Sequence, residues 1–66
     1  MDYSEAISAV EGGAYAWRVA WSAGTYIYGN PVVEQYQDNG QGIVYVATGA
    51  DKSATDWDSG DHPPKP

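Results

Sequence analysis

Apolar side chains fall at Tyr3, Ala6, Ile7 and Val10, the i, i+3, i+4, i+7 spacing that gives a helix one apolar face. Asp2 and Glu5 stand three apart at its start, the spacing of a capping box with Asp in place of Ser or Thr. Gly12-Gly13 supplies a stop of the kind that ends helices. From Tyr15 the period drops to two. Tyr15, Trp17, Val19 and Trp21 are expected on one side of a strand, with Ala16, Arg18 and Ala20 on a nearly bare other side. Ser22-Ala23-Gly24 then turns the chain into the short alternating strand Thr25-Tyr26-Ile27-Tyr28, closed by Gly29-Asn30-Pro31. Residues 32–37 and 42–47 flank Asp38-Asn39-Gly40-Gln41, whose Asn-Gly pair predicts a second hairpin.

Beyond residue 47 the alternation is lost. Residues 48–55 are compatible with one or two helical turns capped by Thr48 or Asp51, and Asp56-Trp57 closes the apolar part of the chain. Residues 58–66 offer nothing apolar to bury and predict a disordered acidic and Pro-rich tail. The expected class is α+β: an N-terminal helix packed on a small antiparallel sheet of about four to five strands, then a short second helix near the C-terminus. The expected domain covers residues 1–57 and the tail residues 58–66.

Composition narrows the function. A chain of 66 residues buries a thin core, about 60% of the surface its unfolded form exposes. With no cysteine and one histidine, His62 in the tail, neither disulfides nor a metal cluster make up the shortfall, so self-association is expected and no metal site or cofactor is. Nine carboxylates against three Lys and Arg give a net charge of -6, which repels DNA and RNA backbones. Met1 is followed at once by Asp2 and Glu5, unlike a signal peptide, and no apolar run approaches the roughly 20 residues of a membrane span. A cytoplasmic protein without membrane partners is expected. No nucleophilic Cys, metal cluster or His outside the tail stands ready for acid–base work, which argues against an enzyme. The aromatic set is six Tyr and three Trp with no Phe, side chains that suit interfaces and stacking sites as well as cores.

Two segments resemble the second type of Thoeris anti-defence protein, a family of small phage sponges. The first is Met1-Asp2-Tyr3-Ser4-Glu5-Ala6-Ile7, then Arg18-Val19-Ala20-Trp21, then Gly24-Thr25-Tyr26-Ile27-Tyr28. It is similar to the family's opening helix, Arg-x-x-Trp strand and aromatic strand. The second is Ala47-Thr48-Gly49-Ala50-Asp51-Lys52-Ser53-Ala54-Thr55-Asp56-Trp57, similar to the closing Asp-x-x-Ala-x-Asp-Trp element and the more specific of the two. The chain departs from the pattern in a short middle, Pro31 to Ile43, and at Gly49, where Ser is commoner. The resemblance implies a homotetramer built as a dimer of dimers, in the cytoplasm of an infected bacterial host. It implies sequestration, without cleavage, of a cyclic ADP-ribose isomer of Thoeris, or of cyclic oligonucleotides of CBASS, in pockets between subunits.

The residues supply matching chemistry. Trp17, Trp21, Tyr26 and Tyr28 are candidates for base stacking, Arg18 for a bidentate phosphate contact, and Asp51 or Asp56 for ribose hydroxyls. Amides at residues 48–51, beginning with Thr48, would add an anion site if a helix starts there. Each has a plainer reading. Arg18 equally suits an exposed pair with Glu34 or Glu11, Asp51 a helix cap, and Trp57 a core anchor. Trp21, beside a Ser-Ala-Gly turn, is the candidate best placed to reach a pocket rim. The alternative function is a small acidic inhibitor that binds a host protein as a nucleic-acid mimic, although its carboxylates are scattered along the chain.

Overall fold

The computed structural model describes residues 1–37 and 41–64. Helix α1 spans Tyr3–Glu11, and both halves of its capping box are made. The Glu5 amide donates to Asp2 Oδ1 at 2.8 Å and the Asp2 amide to Glu5 Oε1 at 3.0 Å. The helix stops where the Gly12 amide reaches the Ser8 and Ala9 carbonyls and Gly13 takes φ 100°. Strand β1 (Tyr15–Arg18) pairs antiparallel with β2 (Thr25–Tyr28), and β2 with β3 (Glu34–Gln37). Strand β4 (Ile43–Val44) pairs antiparallel with β3, as the hairpin pattern predicts, while the Asp38-Asn39-Gly40 part of its turn lies outside the described residues. Between β2 and β3, Gly29 at φ 130° has no substitute, because a side chain there would collide with the Val32 carbonyl. Helix α2 (Gly49–Ser53) follows, and β5 (Trp57–Gly60) then crosses to the far edge, giving the order β4-β3-β2-β1-β5. The α+β class read from the sequence is the class observed. Among the described residues, no helix is long and apolar enough to cross a membrane.

Two sequence expectations are corrected. The first concerns residues 58–60, assigned to a disordered tail. Asp58, Ser59 and Gly60 belong to β5, paired with Trp17, Ala16 and Tyr15. A strand of polar residues joins a sheet through its main-chain hydrogen bonds, and Trp57, 3% exposed, supplies the apolar anchor that holds it there. Gly60 leaves its outer side open to the Trp17 ring, which would touch a side chain placed there at 3.5 Å.

The second correction is the length of β1, expected to run to Trp21. It ends at Arg18: the Val19 amide still donates to the Asp56 carbonyl in the β1–β5 register, but the Ala20 amide turns to Asp56 Oδ2 and the Trp21 amide back to the Arg18 carbonyl. Trp21 therefore leaves the Tyr15/Trp17 side and packs edge-on against Trp57 and Tyr45, and Val19 is left 71% exposed.

The sequence leaves open which side of β1 meets the helix. The core is Ala6 and Val10 of α1 against Ala16, Ile27 and Trp57, so the small side of β1 faces inward. Ala16 lets the helix approach closely. The large side chains are left outside: Tyr15 stacks on Tyr28 at 4.2 Å, Tyr26 on Tyr36 at 5.2 Å, and Tyr15 meets Tyr26 edge-on at 5.6 Å.

Removing residues 59–66 strips half of β5 and is expected to lower the thermal midpoint by several degrees, whereas removing residues 61–66 leaves β5 whole and should cost much less. Melting followed by circular dichroism checks this, and equal midpoints for the two truncations would show that the pairing beyond Asp58 carries no stability.

Candidate ligand-binding site

Arg18 closes one end of the sheet. Its position opposite Trp57 in the β1–β5 register points it toward the α2 end of the molecule. There Nε donates to Asp56 Oδ1 at 2.9 Å and Nη1 to Asp51 Oδ1 at 3.2 Å, with the side chain 18% exposed. The expected partners Glu34 and Glu11 are thus replaced by two carboxylates from the closing segment. The second oxygen of Asp51 accepts from the Tyr45 hydroxyl at 2.8 Å and the Thr48 amide at 3.2 Å. The Asp51 amide donates to Thr48 Oγ1, and the Asp51 carbonyl accepts from Trp57 Nε1 at 3.0 Å. Arg18, Tyr45, Asp51, Asp56 and Trp57 form one connected network.

The network sets the ionisation of its members. Burial, the largest single influence on Asp51, pushes its carboxyl up, but the Tyr45 hydroxyl, the Thr48 amide and Arg18 together outweigh it and hold the group below the ordinary range. For Asp56 the Arg18 hydrogen bond is foremost and, with the Ala20 amide, keeps the carboxyl low against burial. Arg18 is raised in turn, Asp56 first among its partners. Burial, followed by the bond to Asp51, drives the Tyr45 hydroxyl well above the ordinary tyrosine value. Tyr45 was not singled out in the sequence. The period-two pattern of its strand places it on the inward side, and that was the available signal.

Of the sequence candidates, the structure brings Trp17, Arg18 and Trp21 to a single cleft of about 280 Å³, completed by Val19, Ser22, Ala23, Gly24, Thr25 and Pro64. Asp51 and Asp56 stand behind Arg18 as its ion-pair partners. Tyr26 and Tyr28 lie elsewhere, on the outer tyrosine side, and Tyr28 borders a second cleft of about 380 Å³ with Gly29, Glu34 and Tyr36. Thr48 is the cap of α2, and two of the four amides proposed as an anion site are already engaged: the Thr48 amide donates to the Asp51 carboxylate and the Asp51 amide to Thr48 Oγ1. Asp51 is the N3 residue of that capping box rather than the cap itself, and Trp57 is the core anchor of the plainer reading. Comparison of the chain with protein-family models, with curated proteins and with solved structures returned no match.

The pH dependence of stability follows from these shifts. The lowered Asp51 and Asp56 contribute fully above their unfolded value of about 3.9, and that contribution is lost as pH falls through their lower folded values. The raised Tyr45 contributes fully below about 10, and its contribution is lost as pH climbs toward its folded value. Thermal stability should thus be level from about pH 5 to 9 and fall on both sides. Asp51→Asn should cost on the order of 1–3 kcal/mol on the plateau and shrink the acid fall. Tyr45→Phe should abolish the Tyr45 part of the alkaline fall. Melts across pH test this, and an alkaline limb identical in Tyr45→Phe would refute the assignment.

Proposed function

We propose that this chain is a non-catalytic sponge that binds a cyclic nucleotide signal, a cyclic ADP-ribose isomer or a cyclic oligonucleotide, and holds it intact in the cytoplasm of an infected bacterium. The observation that carries the reading is the cleft in which two indoles and a guanidinium, Trp17, Trp21 and Arg18, share one lining. Indole faces stack on any base, at roughly 1–3 kcal/mol for each contact. Arg18 has five N–H donors and its two ion pairs engage only Nε and Nη1, so Nη2 remains for a phosphate oxygen. Its two carboxylate partners leave the trio with a negative balance, so stacking and neutral donors at Ser22 and Thr25 must carry most of the affinity.

Magnitudes require a second chain. Effective capture of a scarce signal calls for nanomolar affinity, about 12 kcal/mol, and two stacking contacts contribute about half of that or less. The cleft of about 280 Å³ also falls short of the roughly 300–1,000 Å³ that enclose a small ligand. A pocket completed by a neighbouring subunit answers both shortfalls, in line with the oligomer implied by the family resemblance. Arg18 is the one ionisable side chain in the described lining, which favours holding over acid–base chemistry. A nucleic-acid mimic is less well supported, because Asp51 and Asp56 turn onto Arg18 instead of facing a partner.

The test is to mix the protein with a panel of cyclic ADP-ribose isomers and cyclic oligonucleotides, remove unbound material, denature by heat and identify what is released intact. Trp21→Ala should weaken capture by at least about 1–3 kcal/mol. Because Trp21 also packs on Trp57 and Tyr45, Ala23→Trp is the cleaner block: Ala23 is exposed on the cleft wall and outside the core, so a bulky ring should abolish capture with the fold intact. Release of no nucleotide from the wild type, or full capture by folded Ala23→Trp, defeats the reading.

A further inference from the structure

The sheet has two edges, and they are finished differently. On β5 the main chain of Trp57 is already occupied: its amide donates to the Met1 carbonyl at 3.3 Å and its carbonyl accepts from the Met1 ammonium at 3.2 Å, while Asp58 places a charge beside it. Charge and coverage are the usual ways of blunting an edge. Among the described residues, the β4 edge has neither. Residues 42–47, Gly-Ile-Val-Tyr-Val-Ala, include no charge and no proline in a chain of net charge -6. Ile43 and Val44 are each 66% exposed and Val46 is 79% exposed. They are half of the large apolar side chains left exposed among the described residues, gathered within four positions.

The ladder fixes which groups are free. Ile43 pairs with Gln35, and the Tyr45 amide donates to the Val33 carbonyl at 3.0 Å, continuing the pairing past β4. By the alternation of an antiparallel ladder, the amides and carbonyls of Val44 and Val46 point away from β3. We propose that this edge is the self-association surface of the protein, pairing antiparallel with the same edge of a second copy about a two-fold axis at Tyr45. Val44 of each copy then faces Val46 of the other and exchanges both main-chain hydrogen bonds with it. The second copy is the occupant that fits best. A neutral β-branched strand is complementary to itself, two-fold pairing closes after two copies, and it joins two acidic chains through the stretch where neither carries charge.

The pairing does not rest on the nucleotide reading, so it is tested without nucleotide. Light scattering of the wild type at micromolar concentration should give at least twice the 7.1 kDa chain mass. Val46→Lys, at a solvent-exposed position, should give a monomer with an unchanged circular dichroism spectrum. The chain has no cysteine of its own. Facing residues in a hydrogen-bonded antiparallel pair sit about 5.5 Å apart at Cα, inside the disulfide range. The double variant Val44→Cys with Val46→Cys should therefore oxidise to a covalent dimer, and neither single variant should. A monomeric wild type, an oligomer that survives Val46→Lys, or single variants that cross-link as readily as the double would each overturn the proposal.

Discussion

Arg18 sits where β1, α2 and the approach to β5 meet, and its two ion pairs decide how those elements are joined. Asp51 lies on α2 and Asp56 just ahead of β5, so one guanidinium holds both to the end of β1. Exposed ion pairs contribute little on their own, but these are part-buried. These are set within a network that includes the Tyr45 hydroxyl, the Thr48 cap and the Trp57 indole N–H, and no described buried side-chain polar atom lacks a partner. The bend after Arg18, the seat of Trp21 and the docking of Trp57 all depend on Asp56 and Asp51 being in place. Trp17, Arg18 and Trp21 share a cleft because that bend brings them there.

The distribution of side-chain size across the sheet is the second constraint. Small residues at the α1 contact let a short helix bury Ala6 and Val10 completely, while Tyr15, Tyr26, Tyr28 and Tyr36 go to the uncovered side. There they stack on one another across strands, so ring faces are shielded while edges and hydroxyls stay in water. This division spends the smallest residues on the core of an already small domain.

The α1 capping box, the period-two segments and the Asn-Gly signal between β3 and β4 were legible because each is local: a few adjacent residues define them. The partners of Arg18 were not, since Asp51 and Asp56 reach it through a crossover and no periodicity encodes that. Strand β5 is hidden in the sequence for a related reason. Its polar residues Asp58 and Ser59 have no propensity for a sheet, and their place follows from Trp57 and from the vacant edge of β1. The alternation of β1 leaves open which of its sides is the core side, and the close approach of α1 selects the small one. The site was legible in part. Trp17, Arg18 and Trp21 do share a cleft, whereas Tyr26, Tyr28 and Thr48 serve other surfaces.

The β1–β5 pairing also has a consequence in time. Arg18 lies opposite Trp57 and Tyr15 opposite Gly60, contacts between distant parts of the chain. High contact order of this kind slows folding, because a long loop must close before the contacts reward it. During synthesis α1 and the β1–β2 hairpin emerge early, but the residues that cap the core and neutralise Arg18 emerge more than thirty positions later. Until then the apolar strip of Ala16 and Ile27 has only half its cover. A nascent chain in that state is open to mispairing, and its strong negative charge then acts as a colloidal safeguard, keeping neighbouring copies apart until the fold is closed.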